Sequence, residues 1–468
     1  MAKLHGLALA LATALATAGC ATLVPPLPEA QPQIPQGWPM PDSGTPAAGI
    51  AVEIGWRDVL VDPRLERVVA QALENNRDLR VAMLNVERAR AQYRIQRADR
   101  VPALGVNGTM ERTGGDAPVS ETYSASLGLA SFELDLFGRV RNLSEAALQQ
   151  YFAQEENRRA AQISLISTVT GAWLTLAADE SLLAIAGDTL TAQEESLRLT
   201  ERRHALGAVS GLVLAQARTQ VESARADQAR YRGQVAQDRH ALDLLAGAPV
   251  AAEDLPVAFE DGLVAMTAAP EGLPSDILLR RPDIQAAEHA LRSANANIGA
   301  ARAAFFPSIS LTGAAGSMSG DFSGLFDSGT RFWRFVPQIN LPIFQGGALR
   351  ANLGMAKANR DIALANYEKA IQTGFREVAD AISLSQTLAE QRGAAERLLA
   401  ATMQAERLSK ARYDAGYDSY LTLLDAQRAR YAAQQALVGV RLAEQANRIA
   451  LYSAVGGGWE AEATPDTP

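Results

Sequence analysis

The chain is poor in the residues that build catalytic and metal centres. Its 468 residues include one cysteine and four histidines. A lone cysteine excludes an intrachain disulfide and a cysteine-based metal cluster. The sequence also lacks the glycine-rich nucleotide motifs and the serine-nucleophile motif of common enzyme classes. The histidines show no metal-ligand spacing: His5, His204, His240 and His289. We therefore expect no enzymatic activity, no metal and no cofactor beyond a covalent lipid.

Excess positive charge and long apolar runs are also missing. The formal net charge is −8 and the sequence pI is about 5.3. Nucleic acid is therefore not an expected partner, because phosphate-binding proteins are basic. Beyond the N-terminus no segment approaches eighteen consecutive apolar residues, so we expect no transmembrane helix in the mature chain.

The N-terminus predicts an export signal. Residues 1–19 combine Lys3, a short alanine-rich apolar stretch and small residues before a cleavage point. The segment ends in Cys20, as in the lipobox of bacterial lipoproteins, although Thr17 stands where that motif usually has leucine. We predict a signal peptide over 1–19 and diacylglycerol and palmitate on Cys20. Ala21 after it favours the outer membrane. The alternative is an ordinary signal boundary that carries a cysteine by chance.

Proline is absent from two long stretches, 119–248 and 343–464. Helix interiors exclude proline, and both stretches are rich in Ala, Leu, Gln, Glu and Arg, so they predict long helices. By contrast, eight of the 21 prolines fall between Pro25 and Pro46. This concentration predicts an extended, lipid-anchored leader over 20–61.

Each proline-free stretch contains one copy of the same turn. Glycine suits the left-handed position that ends a helix, and serine suits the N-cap of the helix that follows. The pattern predicts two helical hairpins with tips at 207–210 and 416–419. The second copy alone carries an acid, Asp425, matched against Ala215 of the first. The matched tip residues are Gly207 and Ser210 in the first copy, and Gly416 and Ser419 in the second.

A second matched pair upstream shows that the chain is an internal duplication. Asp78 precedes Pro102 by 24 residues, and Asp283 precedes Pro307 by the same distance. The predicted division is a first repeat over 62–245, an equatorial linker over 246–276, a second repeat over 277–455 and a C-terminal tail over 456–468.

After each of these prolines the apolar period changes from 3.6 to 2, which predicts β-hairpins at about 103–136 and 308–343. One face of each strand is apolar and the other small and polar, as in a transmembrane β-barrel. Four strands cannot close a barrel, so we expect three copies to supply twelve. The alternative is a soluble pair of hairpins that caps a helical rod.

Several stretches together resemble TolC-type outer-membrane efflux channels, in the lipoprotein subgroup that partners RND multidrug pumps. They are "DPRLERVVAQALENNRDLRVA", "LPSDILLRRPDIQAAE", "FFPSISLTG", "LPIFQGGALRANL" and "ARYDAGYDSYLTLLDAQRARYAAQQ". The resemblance implies a mainly α chain with a small transmembrane β part, built from the duplication. It implies a homotrimer with a 12-stranded β-barrel, four strands per chain, continuous with a long periplasmic α-helical barrel. It also implies a passive duct, with an RND-type inner-membrane pump and a periplasmic membrane-fusion adaptor as partners, in the bacterial outer membrane.

The resemblance also implies a periplasmic gate. By position, Asp425 matches the gate aspartate and Leu421 the apolar constriction residue. Tyr413 and Arg412 match residues that tie neighbouring helices in the closed state. Thr422 stands where some members have a second aspartate, so we expect three gate carboxylates per trimer. The adaptor-contact residues implied at the tips are Gly207, Ser210, Gly416 and Ser419.

Two other functions remain open at this point. A channel for type I protein secretion would share the architecture implied above. A soluble periplasmic coiled-coil adaptor or structural protein would explain the helices and tips, but it would leave the amphipathic strands unexplained.

Overall fold

The computed structural model describes residues 22–35, 38, 55–116, 118–265 and 275–457. The predicted signal peptide, Cys20 and most of the predicted tail lie outside these ranges. The chain divides into two compact units. Unit one comprises the described residues within 1–32, 84–156 and 283–370, and unit two comprises those within 33–83, 157–282 and 371–468.

Unit one contains a four-stranded antiparallel sheet with the strand order β1-β2-β3-β4. The two hairpins are therefore neighbours, with β2 paired to β3 and with β1 and β4 at the edges. The polar, glycine-rich stretches between strands form the hairpin connections. The strands are β1 (Leu104–Thr113), β2 (Ser120–Leu134), β3 (Ser308–Ser319) and β4 (Arg331–Asn340).

The register of the sheet separates an apolar face from a polar one. Val106 pairs with Leu127, Leu127 with Ala315, and Ala315 with Trp333, so these four side chains share a face. Trp333 on this face is 80% exposed. The adjacent register positions carry small polar residues, such as Asn107 opposite Ser126. The period of two in the sequence thus predicted the faces correctly.

Eight α-helices account for most of the described residues. Two of them, α4 and α7, have 67 residues each and fall in the proline-free stretches. The Asp135 carboxylate starts α4, because it accepts hydrogen bonds from the backbone N–H groups of Val140 and Arg141. The helices are α1 (Trp56–Val59), α2 (Pro63–Asn75), α3 (Arg77–Ala98), α4 (Arg139–Ala205), α5 (Gly211–Ala246), α6 (Pro282–Ala303), α7 (Ala348–Asp414) and α8 (Tyr420–Ala454).

The main hydrophobic core lies in unit two. Trp173 and Leu174 of α4 are fully buried together with Leu65 of α2 and Leu242 of α5. Part of the predicted linker joins this core, since Val264 is fully buried. The backbone N–H of Val264 donates to Gln445 Oε1 over 3.0 Å, and the Trp173 indole donates to the Asp254 carbonyl over 3.0 Å. The described part of the linker is therefore a packed element of unit two.

The leader is packed as well. In unit one, Asn295 Nδ2 donates to the Pro25 carbonyl over 2.9 Å, and Arg302 donates to the Leu23 carbonyl over 3.0 Å. Gly299 lies between them on α6, and a Cβ added there would lie 2.6 Å from Val24 Cγ2. Residues 22–35 form no helix or strand, and hydrogen bonds from α6 hold Leu23 and Pro25 in place. The prediction of an extended leader over 20–61 is wrong at its end, because Trp56–Val59 form α1, where Trp56 and Val59 are buried in the core of unit two.

Among the described helices, α4 alone is long and apolar enough to cross a membrane by length and composition. The sequence led us to expect no such helix, because charged residues interrupt every apolar run. The difference arises because mean hydropathy averages over those interruptions. Part of the apolar character of α4 belongs to the core, where Ile166, Val169 and Trp173 are buried.

Candidate functional site

The two hairpin tips of unit two have the backbone conformation that the sequence predicts. Gly207 has a φ of 73° and Gly416 a φ of 81°. A residue with a Cβ is strained in this left-handed region, so glycine is favoured at both positions. Each glycine N–H bonds back to its helix: Gly207 to the His204 carbonyl over 2.8 Å, and Gly416 to the Tyr413 carbonyl over 3.0 Å.

The returning helices begin at the predicted serines. Ser210 accepts a hydrogen bond from the backbone N–H of Val213, and Ser419 accepts one from that of Thr422, both at 3.4 Å. The Thr422 hydroxyl also lies 3.3 Å from the Ser419 hydroxyl. Thr422, which stands where a second gate aspartate would be, therefore belongs to the cap of α8.

A small apolar cluster joins the two tips. Leu424 is 1% exposed and packs with Tyr420 and Leu423 of the same helix and with Ala217 of α5. Leu197, Val213 and Tyr413 lie against this cluster. The first and second hairpins are thus held together by buried side chains immediately above their turns.

The two predicted gate residues lie on the exposed side of α8. Leu421 is 49% exposed and the Asp425 side chain is 65% exposed. A spacing of four residues places them on one face of the helix, one turn apart. Arg428 Nη1 lies 3.8 Å from Asp425 Oδ1. An exposed pair at this distance is weak, so the carboxylate remains accessible.

The position of Asp425 in the duplication corrects one detail of the sequence comparison. Asp425 lies nine residues after Gly416, and the residue nine after Gly207 is Gln216. Gln216, rather than Ala215, is therefore its counterpart. The acid remains specific to the second hairpin.

Tyr413 links the two hairpins of one chain. Arg203 Nη1 of α4 lies 3.4 Å from the Tyr413 hydroxyl, and its guanidinium carbon is 5.8 Å from the centre of the Tyr413 ring. That ring lies 5.6 Å from the ring of Tyr420. Tyr413 thus contacts a neighbouring helix of its own chain, and its predicted role in tying neighbouring helices together in the closed state stays a prediction.

Arg412 closes its own tip. Its Nε donates to Asp418 Oδ2 over 2.7 Å, and its second nitrogen donates to Oδ1 over 3.0 Å. This bidentate salt bridge connects the end of α7 to the turn before α8. It also holds the pKa of Asp418 below its usual range, because the carboxylate is stabilised by the guanidinium.

Further polar links between α5 and α8 escaped the sequence analysis. The Tyr431 hydroxyl donates to Asp227 over 3.2 Å, and Gln435 Nε2 donates to the Tyr231 hydroxyl over 2.9 Å. Burial and the nearby carboxylate raise the pKa of Tyr431. Each pair is separated by 204 residues, which is close to the duplication period. The equivalent tip residues Gly207 and Gly416 are 209 residues apart. The linked residues are therefore five positions away from equivalence, so the duplication alone did not reveal these links.

Within the described ranges, His, Cys, Asp and Glu form no group of three or more that could hold a metal ion. The tips instead combine turns of defined backbone conformation, a buried apolar cluster and an exposed pair of one apolar and one acidic residue.

Comparison with known proteins decides the family. A model described as "Outer membrane efflux protein" matches residues 68–248 and 273–457. The chain belongs to the outer membrane efflux protein family. It is therefore the outer-membrane component of a bacterial efflux system, and its family is one of channels.

Two curated relatives are each 47% identical to this efflux protein over 96% of its chain and 94% of theirs. They are the antibiotic efflux pump outer membrane protein ArpC and the toluene efflux pump outer membrane protein TtgC, both of Pseudomonas putida. Among solved structures, the open state of the Neisseria gonorrhoeae MtrE outer membrane channel is 40% identical. It matches with a TM-score of 0.85 over 94% of this chain and 98% of that one. The mainly helical fold with a small antiparallel sheet, predicted from the sequence, is confirmed.

Proposed function

We propose that three copies of this efflux protein form a passive exit duct through the outer membrane. The observation that carries the proposal is the four-stranded sheet, whose edge strands β1 and β4 have no outer neighbour within the described residues. In lipid, each unsatisfied backbone group at such an edge costs several kcal/mol. Three copies supply twelve strands and remove every edge, with the apolar face outward toward lipid.

The duct is gated at the second hairpin. Leu421 and Asp425 are exposed on one face of α8. We place this face toward the pore, where a symmetric trimer brings three copies of each residue around the axis. Three leucines narrow the pore, and three carboxylates repel one another and attract cations. Divalent cations would therefore favour the closed state.

The tips receive a periplasmic membrane-fusion adaptor, and an RND-type inner-membrane pump supplies the energy. Exposed apolar side chains at both turns support this assignment, because such patches mark interaction sites. Leu206 is 84% exposed, Leu212 69% and Tyr417 78%. The rigid glycine and serine positions would present them in a fixed geometry.

The expected cargo is a set of small organic molecules that includes antibiotics and organic solvents such as toluene. The relatives named for a toluene pump and an antibiotic pump support this class. These names also favour efflux over type I protein secretion. A water-filled duct selects little by itself, so the pump would determine which compounds leave.

Lipid on Cys20 would add a second membrane attachment. The leader is bound to α6 from Leu23 onward. Only three residues of chain, at most about 10 Å in length, separate Cys20 from Leu23 in the sequence. Labelling with radioactive palmitate tests this anchor: the wild-type chain should be labelled and a Cys20→Ser variant should not.

Single-channel conductance in planar bilayers tests the gate. Asp425→Asn should raise the open probability and weaken block by divalent cations. The matched control adds Gln216→Asp to that variant, which returns one acid to the equivalent turn of the first hairpin. Block should stay weak if the second hairpin alone lines the constriction. Unchanged conductance and unchanged cation sensitivity in Asp425→Asn would show that the gate lies elsewhere.

A further inference from the structure

The four connections between strands and helices in unit one carry a strong excess of positive charge. We define the connection rim as each connection together with the last or first five residues of its helix: 94–103, 135–143, 299–307 and 341–352. These residues include seven arginines, two aspartates and no other charged residue. The strand ends and hairpin turns at the opposite end of the sheet, 109–124 and 315–335, have five acidic residues and three arginines. The sheet is therefore basic at one end and acidic at the other.

Several rim arginines are free to bind a partner. Arg97, Arg100, Arg141 and Arg350 are exposed, and their side chains form no ion pair or hydrogen bond with the described part of the chain. Two of the other three are already engaged: Arg139 pairs with Glu133, and Arg302 binds the leader. The free arginines thus leave a net positive surface at the ends of the strands.

Each rim connection also exposes an apolar side chain within six residues of a rim arginine in the sequence. Val101 is 64% exposed, Leu136 43%, Phe306 41% and Phe344 89%. Phe306 stacks on Phe137 with ring centres 4.7 Å apart, which joins the second and third connections. Exposed apolar and aromatic groups beside arginine are typical of protein at a membrane–water interface, where the apolar part enters lipid and the cation stays with the headgroups.

We propose that the connection rim binds the headgroups of anionic phospholipids in the periplasmic leaflet of the outer membrane. The inference rests on the proposed function, which places the strands in the membrane and the helices in the periplasm. The rim then lies at the level of the periplasmic headgroups. Arginine forms two-point hydrogen bonds to phosphate, and basic side chains at a membrane surface favour anionic lipid.

Native mass spectrometry of the purified, assembled channel with equal amounts of phosphatidylglycerol and phosphatidylethanolamine tests the proposal. Wild type should bind phosphatidylglycerol in preference to phosphatidylethanolamine. The triple variant Arg100→Gln, Arg141→Gln and Arg350→Gln should lose that preference, by on the order of five-fold for each arginine removed. Replacing the same three residues by lysine should keep most of it, because lysine retains the charge.

The matched control removes three arginines from the opposite end of the sheet, with Arg112→Gln, Arg331→Gln and Arg334→Gln. It should keep the preference of the wild type. An equal loss in this control would contradict a site at the rim. So would a wild-type channel that inserts into bilayers and conducts but shows no preference for phosphatidylglycerol. A wild-type chain that neither assembles nor inserts would instead contradict the proposed function itself.

Discussion

The apolar cluster between the two hairpin tips allows a sharp prediction, because the neighbouring leucines of α8 differ strongly in burial. Leu424 is 1% exposed in the tip cluster, whereas Leu421 is 49% exposed. Truncating a fully buried leucine to alanine costs about 2–5 kcal/mol. At the lower bound this cost raises the local opening equilibrium about 30-fold. Truncating the half-exposed Leu421 to alanine should lower the local free energy of unfolding by less than about 1 kcal/mol, because Leu421 buries little surface.

Amide hydrogen exchange of the purified assembly, followed by mass spectrometry, measures this difference over the first turns of α8. Leu424→Ala should speed exchange there by at least about 30-fold. Leu421→Ala, the matched control, should change exchange little while raising the open probability in bilayers. Equal loss of protection in both variants would refute the assignment of the inward and outward faces of α8.

Three further predictions concern stability. Ser419→Ala removes the cap of α8 and should lower local stability by about 1 kcal/mol, again visible as faster exchange at the tip. Gly247→Ala should sharply lower the melting temperature, because Gly247 has a φ of 73° and a Cβ there would overlap the Asn75 carbonyl. Asp179→Asn should raise the melting temperature at pH 8, because burial and the facing Asp238 raise the pKa of Asp179 to about 6.

The sign of the last prediction follows from proton binding. With its pKa raised above the unfolded value of 3.8, Asp179 binds more protons in the folded state than in the unfolded state. Stability therefore falls as pH rises through the window from about 4 to 6 and stays lower above it. Asp179→Asn should flatten this dependence, whereas Asp188→Asn, at an exposed position of the same helix, should leave it unchanged. A melting temperature with the same pH dependence in both variants would contradict the account.

An unchanged rate of amide exchange at the tip after Ser419→Ala would contradict the assignment of Ser419 as the cap of α8. An unchanged melting temperature after Gly247→Ala would contradict the close packing of Gly247 against Asn75.

Local chemistry explains why the turns and strands could be predicted. Gly207 and Gly416 meet a backbone requirement that few other residues meet, and Ser210 and Ser419 satisfy helix N–H groups a few residues away. The strands follow from alternation within ten to fifteen residues. Such features depend on neighbours in the chain, so a sequence pattern contains them.

Long-range packing explains what the sequence did not reveal. Leu421, Leu423 and Leu424 look alike in a helix that is apolar on several sides. Their packing against neighbouring helices, including the contact with Ala217 of α5, determines which of them are buried. The leader was predicted to be extended, but its binding to α6 depends on Gly299, far along the chain. The Arg412–Asp418 bond depends on the path of the turn, which residue types alone do not define.

Cross-linking at the proposed constriction tests the central claim most directly, namely that three copies of this chain form a duct closed by the second hairpin. In an Asp425→Cys variant, oxidation should join subunits through residue 425 and abolish conductance, and a reducing agent should restore it. A Gln216→Cys variant is the matched control on the first hairpin and should form no such link. If Asp425→Cys fails to cross-link in the closed channel, or if Gln216→Cys links and blocks in its place, the proposed gate is wrong.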